Sequence, residues 1–151
     1  MDWAPHVTVA SIIERDGQFL FVQERIAGQL VINQPAGHLE DKESLLHAAH
    51  RETLEETAWH VKLTTLVGIY QWRHPQKHNT YLRFCFSGEG IEHEQDRPLD
   101  SDIEQTIWLT REQLVNSNYI LRTPMVLKCL DDYLAGQRLD LSVLNMFDYH
   151  D

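Results

Sequence analysis

The stretch GHLEDKESLLHAAHRETLEETAW, Gly37 to Trp59, opens on a turn residue, crosses a short acidic loop and then takes helical periodicity. At about 100° per residue, Leu45, Leu46, Ala48 and Ala49 set an apolar arc. Glu52 falls inside that arc, Glu56 near its middle and Glu55 at its edge, whereas an ordinary amphipathic helix turns its carboxylates the other way. Positions three and four apart are neighbours on a helix surface, so these side chains converge. Carboxylates about 5 Å apart repel by roughly 3 kcal/mol at an effective dielectric of about 20. A divalent cation with oxygen ligands would offset that repulsion. The competing reading is a solvated acidic face with Arg51 as its local counter-ion.

Working outward, Asp41 is the predicted N-cap of a helix over residues 42–57, with Glu43 in its first turn, where negative charge suits the dipole. Upstream, Gln34-Pro35-Ala36-Gly37-His38 makes a tight entry. Before it come His6–Glu14 and Gln18–Glu24, two strands joined by an Asp16-Gly17 hairpin signal, and a short strand at Leu30–Asn33. Downstream, Val61–Arg73 is strand-rich with Gly68 as a bulge position, His74–Asn79 is a loop, and Thr80–Ser87 is a strand. Alternation in that strand separates Tyr81, Arg83 and Cys85 from Leu82, Phe84 and Phe86, and assigns the second set to the core. Gly88–Ser101 reads as a long acidic loop, and Ile107–Leu109 as a short strand. Thr110 opens a capping-box pattern, and Thr123-Pro124 an N-cap with an N1 proline, for a helix to about Ala135 stopped by Gly136. The apolar tail, Leu139–Asp151, is expected to dock on the body. Strands interleaved with two or three helices imply an α/β fold, a sheet with helices on both faces, within one domain over residues 1–151.

The spacing of the motif, Gly37, then Glu43, then Arg51-Glu52, then Glu55-Glu56, resembles the Nudix box of the Nudix hydrolase superfamily. Two positions depart from it: Thr53 replaces an aliphatic residue and Ala58 a glycine, and neither supplies a metal ligand. The resemblance implies an α/β/α sandwich with a mixed sheet and Mg²⁺-dependent hydrolysis of diphosphate linkages, Mn²⁺ being the alternative ion. Such chemistry needs neutralised phosphate oxygens, a positioned water and a base. Glu55 and Glu56 are assigned as carboxylate ligands, with the Gly37 carbonyl as a further oxygen. Glu52 is a further ligand or the base, and Glu104, in the acidic segment Asp100–Glu104 that also holds Asp102, is the other candidate base. The resemblance implies that Arg51 pairs with Glu43 and orients the loop and the catalytic glutamates. Glu40 is a candidate to join the cluster, and His38 is a loop hydrogen-bonder.

For substrate, Trp72 and Arg73 before a loop, and Tyr81 and Arg83 on one strand face, suit a stacked base and a phosphate. The alternative is that Trp72 and Tyr81 only pack. Arg25 and His6 are further phosphate candidates. The segments NQPAGHLE, Gln71-Trp72, Leu82–Phe84 and Asp100–Ile103 resemble a bacterial phosphatase branch of the superfamily. That implies release of orthophosphate from nucleoside tri- and diphosphates and from the thiamine-precursor pyrimidine pyrophosphate. Two other readings are a nucleotide-sensing module without turnover, which should have lost some of the clustered carboxylates, and an RNA 5′-pyrophosphohydrolase.

Charge weighs against the last. The chain has 151 residues and a formal net charge of −10, with no basic stripe to release counterions from a nucleic-acid backbone. A small phosphorylated, nucleotide-like partner carried with a cation fits better, with no nucleic acid and no membrane. No run is long enough for a membrane span and no signal peptide is evident, so a cytoplasmic protein is expected, a monomer or small homo-oligomer. Cys85 and Cys129 match no zinc spacing and read as reduced, buried thiols.

Overall fold

The computed structural model describes residues 2–147. Strands β1 (His6–Arg15) and β2 (Gln18–Ile26) join at Asp16-Gly17, where φ values of 53° and 79° give the tight hairpin turn expected of that dipeptide. A second such turn, Ala27-Gly28, leads into β3 (Gln29–Asn33). Then follow β4 (Ala36–His38), α1 (Leu45–Thr57), β5 (Trp59–Arg73), β6 (Thr80–His93) and β7 (Ile103–Leu109). The chain continues through α2 (Arg111–Val115), β8 (Ile120–Leu121), α3 (Met125–Leu134), β9 (Leu139–Asp140) and a 3-10 turn at Leu141–Val143.

The described strands run in the order β8-β3-β2-β1-β6-β5-β9, with β4 on β1 and β7 on β2. β1–β6 and β3–β8 are parallel and the other pairs antiparallel, so the sheet is mixed. β1 and β2 pair only next to their turn, at Glu14 with Phe19 and Arg15 with Gln18. Beyond it they diverge, β1 toward β4 and β6, β2 toward β3 and β7. That divergence opens the cavity described below.

Both faces of the sheet are covered, which gives the expected α/β/α layering. On one face Ala48 and Ala49 of α1 pack with Val9, Ile13, Leu20, Leu66 and Phe86. On the other, Leu114 of α2 and Val126, Cys129 and Leu130 of α3 pack with Ala10, Ile12, Phe21, Val67 and Cys85. Each fully buried Leu, Ile or Phe side chain contributes about 1.5–3 kcal/mol. A strand covered twice reads as a continuous apolar run rather than an alternation, as β1 does.

Several sequence expectations need correction. α1 starts at Leu45, not at residue 42, because Lys42 takes a left-handed φ of 66° that no helix accommodates. Its cap is Ser44, whose hydroxyl accepts from the His47 N–H at 3.1 Å, so Asp41 is not the cap and Glu43 precedes the helix. The loop expected from Gly88 starts only after His93, since β6 continues along the first half of β5. Gly88 and Gly90 make that pairing sterically open: a Cβ at Gly88 would lie 2.1 Å from the Lys62 carbonyl oxygen, and one at Gly90 2.8 Å from the Trp59 ring. On β6 both faces are buried, so Arg83 and Cys85 are core positions as much as Phe86 is. β7 begins four residues earlier than Ile107 because it extends its pairing along β2.

Other expectations hold. Thr110 and Gln113 form the reciprocal capping box. The register of β5 against β6 shifts between Leu66 and Gly68, the bulge position. α3 opens one residue later than expected, at Met125 with Pro124 in the cap position, and the Thr123 hydroxyl just before it accepts from the Met125 N–H at 3.1 Å. The tail docks through β9 on β5, and Leu141 and Leu144 join the α1-side core; residues 148–151 lie outside the described residues. Cys85 and Cys129 are buried free thiols.

Both departures within α1 have local explanations. Thr53 is fully buried, its Oγ1 2.7 Å from the Ala49 carbonyl oxygen and 3.0 Å from Ser11 Oγ. A hydroxyl carries one hydrogen, so Thr53 donates to the carbonyl and Ser11 supplies the other bond. A polar pair thus stands where two apolar side chains would otherwise pack. Ala58 ends the helix in the left-handed region, φ 63°, a conformation that costs an L-residue roughly 1–2 kcal/mol and glycine nothing.

Candidate active site

Arg51 is the hub of the α1 end. It donates from Nε and Nη2 to the two oxygens of Glu43, at 2.6 and 3.0 Å, and from Nη2 to the His38 carbonyl at 3.1 Å. Its Nη1 donates to Glu52 at 2.8 Å and to Glu55 at 3.3 Å. Residues 38–43 therefore fold back onto the helix, and one guanidinium ties the loop to two of the clustered carboxylates. The bidentate fork holds the Glu43 carboxyl below its ordinary range, and Glu43 and Glu52 hold the Arg51 guanidinium above its own. Arg51 is thus the counter-ion of this face, of which Glu52 and Glu56 turn inward while Glu55 stays partly exposed.

Glu52 lies against β4. A Cβ at Gly37 would stand 2.1 Å from its carboxyl carbon, so only glycine leaves room for the side chain where it sits. Burial pushes the Glu52 carboxyl up, against the hydrogen bond from Arg51, which pulls it down; Glu55 and Asp100 push it further up. Glu52, Glu55 and Asp100 each present an oxygen within 4.8 Å of the others. Asp100 is brought in by its backbone N–H, which donates to the Glu55 carbonyl at 3.0 Å. Three hard oxygen donors at this spacing fit a cation of the Mg²⁺ or Mn²⁺ type.

Glu56 stands apart from that triad, though it lines the same cavity as Glu52 and Gly37. It is buried, and its Oε1 accepts from the Ala36 N–H at 2.9 Å. Burial drives its carboxyl up to about 9, with Glu24, Glu52 and Asp100 adding to the shift.

The cavity, of about 340 Å³, runs from this acidic end into the gap between the diverging strands. Its other end is lined by Asn33, Trp72, Tyr81, Arg83 and Arg122. Trp72 and Tyr81 stack at 5.9 Å between centroids, and His6 stacks on the other side of Tyr81 at 5.2 Å. Of the sequence candidates, the structure brings together Gly37, Glu52, Glu56, Trp72, Tyr81 and Arg83 around this one space. Glu40 and His38 also line it; Glu40 approaches Arg51 at 3.6 Å, and burial lowers the His38 imidazole. Glu55, Arg51, His6, Arg25, Arg73 and Glu104 do not line it; Glu55 and Arg51 border a separate depression on the outer side of α1. Arg25 donates to Glu104 at 2.8 Å on the surface, and Arg73 is exposed on the strand position next to Trp72, pointing to the opposite face.

Asp100, Glu24, Asn33, Lys77 and Arg122 were not singled out from the sequence. Asp100 lay within a segment marked as acidic, but nothing local distinguishes it from Asp102; the bond to Glu55 that selects it is a tertiary contact. Glu24 and Arg122 meet at 3.6 Å, and burial raises the Glu24 carboxyl. Among the described residues no helix is long and apolar enough to cross a membrane.

Known proteins resemble this chain over most of its length. Residues 3–127 match the family described as NUDIX domain. The chain is 40% identical over 148 residues to Phosphatase NudJ of Escherichia coli K12, covering 96% of this chain and 94% of that protein. A solved NUDIX hydrolase from Nitrosomonas europaea superposes with a TM-score of 0.93 at 42% identity, covering 96% of this chain and 99% of that one. The NUDIX domain of Shewanella oneidensis NrtR, complexed with ADP ribose, shares the fold at a TM-score of 0.70 and 14% identity, covering 88% and 90%.

Proposed function

The chain belongs to the NUDIX family and is a phosphohydrolase, and from that premise we propose that it is a Mg²⁺-dependent hydrolase of small nucleoside di- and triphosphates. Related pyrophosphates such as the thiamine-precursor pyrimidine pyrophosphate fall within the same reading, with orthophosphate released. The observation that carries it is the convergence of Glu52, Glu55 and Asp100 within 4.8 Å, with Glu52 of that triad also lining, beside Gly37 and Glu56, a cavity whose other end is aromatic and cationic.

Glu52, Glu55 and Asp100 would hold the cation, with Glu56 and the Gly37 carbonyl as further oxygens on the cavity side. When bound, the ion neutralises phosphate oxygens and draws electron density from the phosphorus. Arg51 keeps the loop of residues 38–43 and the Glu52 carboxylate in register. Glu52, half-buried and with its carboxyl raised, would serve either as that ligand or as the base that takes the proton of an attacking water. Glu104 is the weaker choice for that role, because Arg25 engages it away from the cavity. Trp72, which lines the cavity beside Tyr81, offers an aromatic surface for a planar ring, while Tyr81 is held between Trp72 and His6. The retention of every clustered carboxylate favours turnover over sensing alone.

The test is incubation of the protein with Mg²⁺ and a panel of nucleotides, sugar nucleotides and pyrimidine pyrophosphates, with products identified by mass. Metal-dependent release of orthophosphate from nucleotides is expected. An inert panel, or turnover that persists in excess chelator, would overturn the reading.

A further inference from the structure

The depression on the outer side of α1 has a volume of about 330 Å³. His47, His50 and Leu54 of the helix line it, with His60 of β5, Arg97 and, as one wall, Glu55. A guanidinium and three imidazoles thus meet in one hollow of a chain whose net charge is −10. Arg51 borders it too, but its nitrogens are spent on Glu43, Glu52, Glu55 and the His38 carbonyl. Arg97 differs. Of its five N–H groups, one finds an acceptor among the described residues, the Glu94 carboxylate at a long 3.4 Å. The nearby carboxylates are otherwise engaged: Glu43 and Glu55 by Arg51, and Glu94 by His60 Nε2 at 2.6 Å. Arg97 therefore keeps most of its donors to offer, and its charge is permanent.

The loop that carries Arg97 is pinned at both ends to the last turn of α1. The Glu94 N–H donates to the Ala58 carbonyl at 2.9 Å, and the Asp100 N–H to the Glu55 carbonyl at 3.0 Å. Between them the Arg97 N–H donates to the Glu94 carbonyl at 3.1 Å. Arg97 so stands three residues before Asp100, one of the three converging carboxylates. Of that triad, Glu52 lines the inner cavity and Glu55 the outer depression. The triad is therefore a partition, with an aromatic wall on its inner side and Arg97 on its outer side. A diphosphate chain suits such a partition, because each of its phosphates needs positive charge or donors of its own. Among the described residues no second group of His, Cys, Asp and Glu meets at metal-ligand spacing, so the outer hollow is not itself a cation site.

We propose that this outer depression receives the terminal phosphoryl group of the substrate and the orthophosphate formed from it, with Arg97 as the anchoring donor. The inference rests on the reading above, in which the phosphates lie at the carboxylate end, and it adds a direction to the chain. The nucleoside side occupies the inner cavity, and the terminal phosphate passes the triad to the outer side. Water adds to the terminal phosphorus, the bridging P–O bond breaks with its electrons going to the nucleotide oxygen, and one proton passes to solvent. Orthophosphate then leaves through the outer hollow without crossing the ring site.

The test uses the whole chain with Mg²⁺ and three probes that need no turnover: orthophosphate, α,β-methylene-ADP and AMP. Affinities are compared by calorimetry in the unaltered protein and in Arg97→Gln. Orthophosphate and the methylene diphosphate are each expected to bind about 10-fold more weakly to Arg97→Gln, the scale of one charge-assisted hydrogen bond. AMP, whose single phosphate stops short of the outer side, should bind both proteins equally. An orthophosphate affinity unchanged by Arg97→Gln would overturn the inference, and so would an equal loss for AMP. A loss confined to free orthophosphate would overturn it as well, since the hollow would then be an anion site unconnected with substrate. Should Arg97→Gln displace Asp100, seen as a lost Mg²⁺-dependent rise in melting temperature, His60→Ala replaces it. That change frees Glu94 to engage Arg97 and should weaken the same two probes; unchanged affinities there would overturn the inference. Turnover is scored separately. Arg97-dependent binding without nucleotide hydrolysis would refute the proposed function alone, whereas hydrolysis with Arg97-independent binding would refute this inference alone.

Discussion

At the α1 end, where Glu52 and Glu56 line the cavity and Arg51 ties Glu43 and Glu55 to them, all five residues come from one loop and the helix that follows it. At the opposite end, Asn33, Trp72, Tyr81, Arg83 and Arg122 arrive from β3, β5, β6 and the turn after β8. Helix geometry converges the four helical members of the first group, because residues three and four apart share a face whatever the rest of the fold does, and the folded-back loop adds Glu43. The second group is assembled by strand register and by the divergence of β1 from β2. The acidic end is consequently written as a motif, and the aromatic, cationic end only as a topology.

The largest expected effect breaks the two ends apart kinetically. Glu52→Gln should lower kcat by roughly 10²–10⁴, because it removes a group acting in proton or metal chemistry. Trp72→Ala should instead raise KM by roughly 10-fold with kcat nearly intact, the signature of lost ring binding shared by ground and transition states. Steady-state kinetics on one nucleoside triphosphate decides it. If both variants lose kcat equally, the division of the cavity into a reacting end and a recognising end is wrong.

That division also explains what the sequence could convey. The inward turn of Glu56 follows from helical spacing, and the Arg51–Glu43 pair is implied by the resemblance to the Nudix box; the closeness of Glu52 to Gly37 appears only in the fold. Asp100 does not, since a backbone bond to Glu55 from a distant loop selects it over Asp102. The start of α1 is not legible in the sequence because the left-handed Lys42 leaves no trace in residue type. The continuation of β6 through His93 was hidden by its polar composition, although Gly88 and Gly90 fit the close approach of Lys62 and Trp59. Arg83 carried the deepest ambiguity: a charged residue on an alternating strand reads as exposed until α3 is known to cover that face.

A smaller effect concerns pH at the acidic end. The Glu56 carboxyl is raised to about 9 in the fold from 4.5 as its ordinary value, so without metal the native state retains a proton that the unfolded chain releases. Stability from this group is full below about pH 4.5 and is lost as pH rises toward 9. Glu52 is shifted in the same direction, whereas Glu43, lowered by Arg51, contributes stability that is lost as pH falls. Melting temperatures in chelator should therefore decline from pH 5 to pH 9, and Glu56→Gln should flatten the slope. A slope unchanged by that substitution would mean that Glu56 is not the buried proton store. The smallest effect lies at the end of α1, where Ala58→Gly should stabilise the protein by about 0.5–1 kcal/mol, relief of left-handed strain less the added chain entropy. Denaturant unfolding reads it directly.

The most direct measurement is the melting temperature as a function of Mg²⁺, in the unaltered protein and in Asp100→Asn. Preferential binding to the folded state adds about 2.7 kcal/mol of stability at a hundred times the dissociation constant. The triad predicts a melting temperature that climbs with Mg²⁺ in the unaltered protein and climbs far less in Asp100→Asn. A flat curve in the unaltered protein, or an equal climb in both, would contradict it.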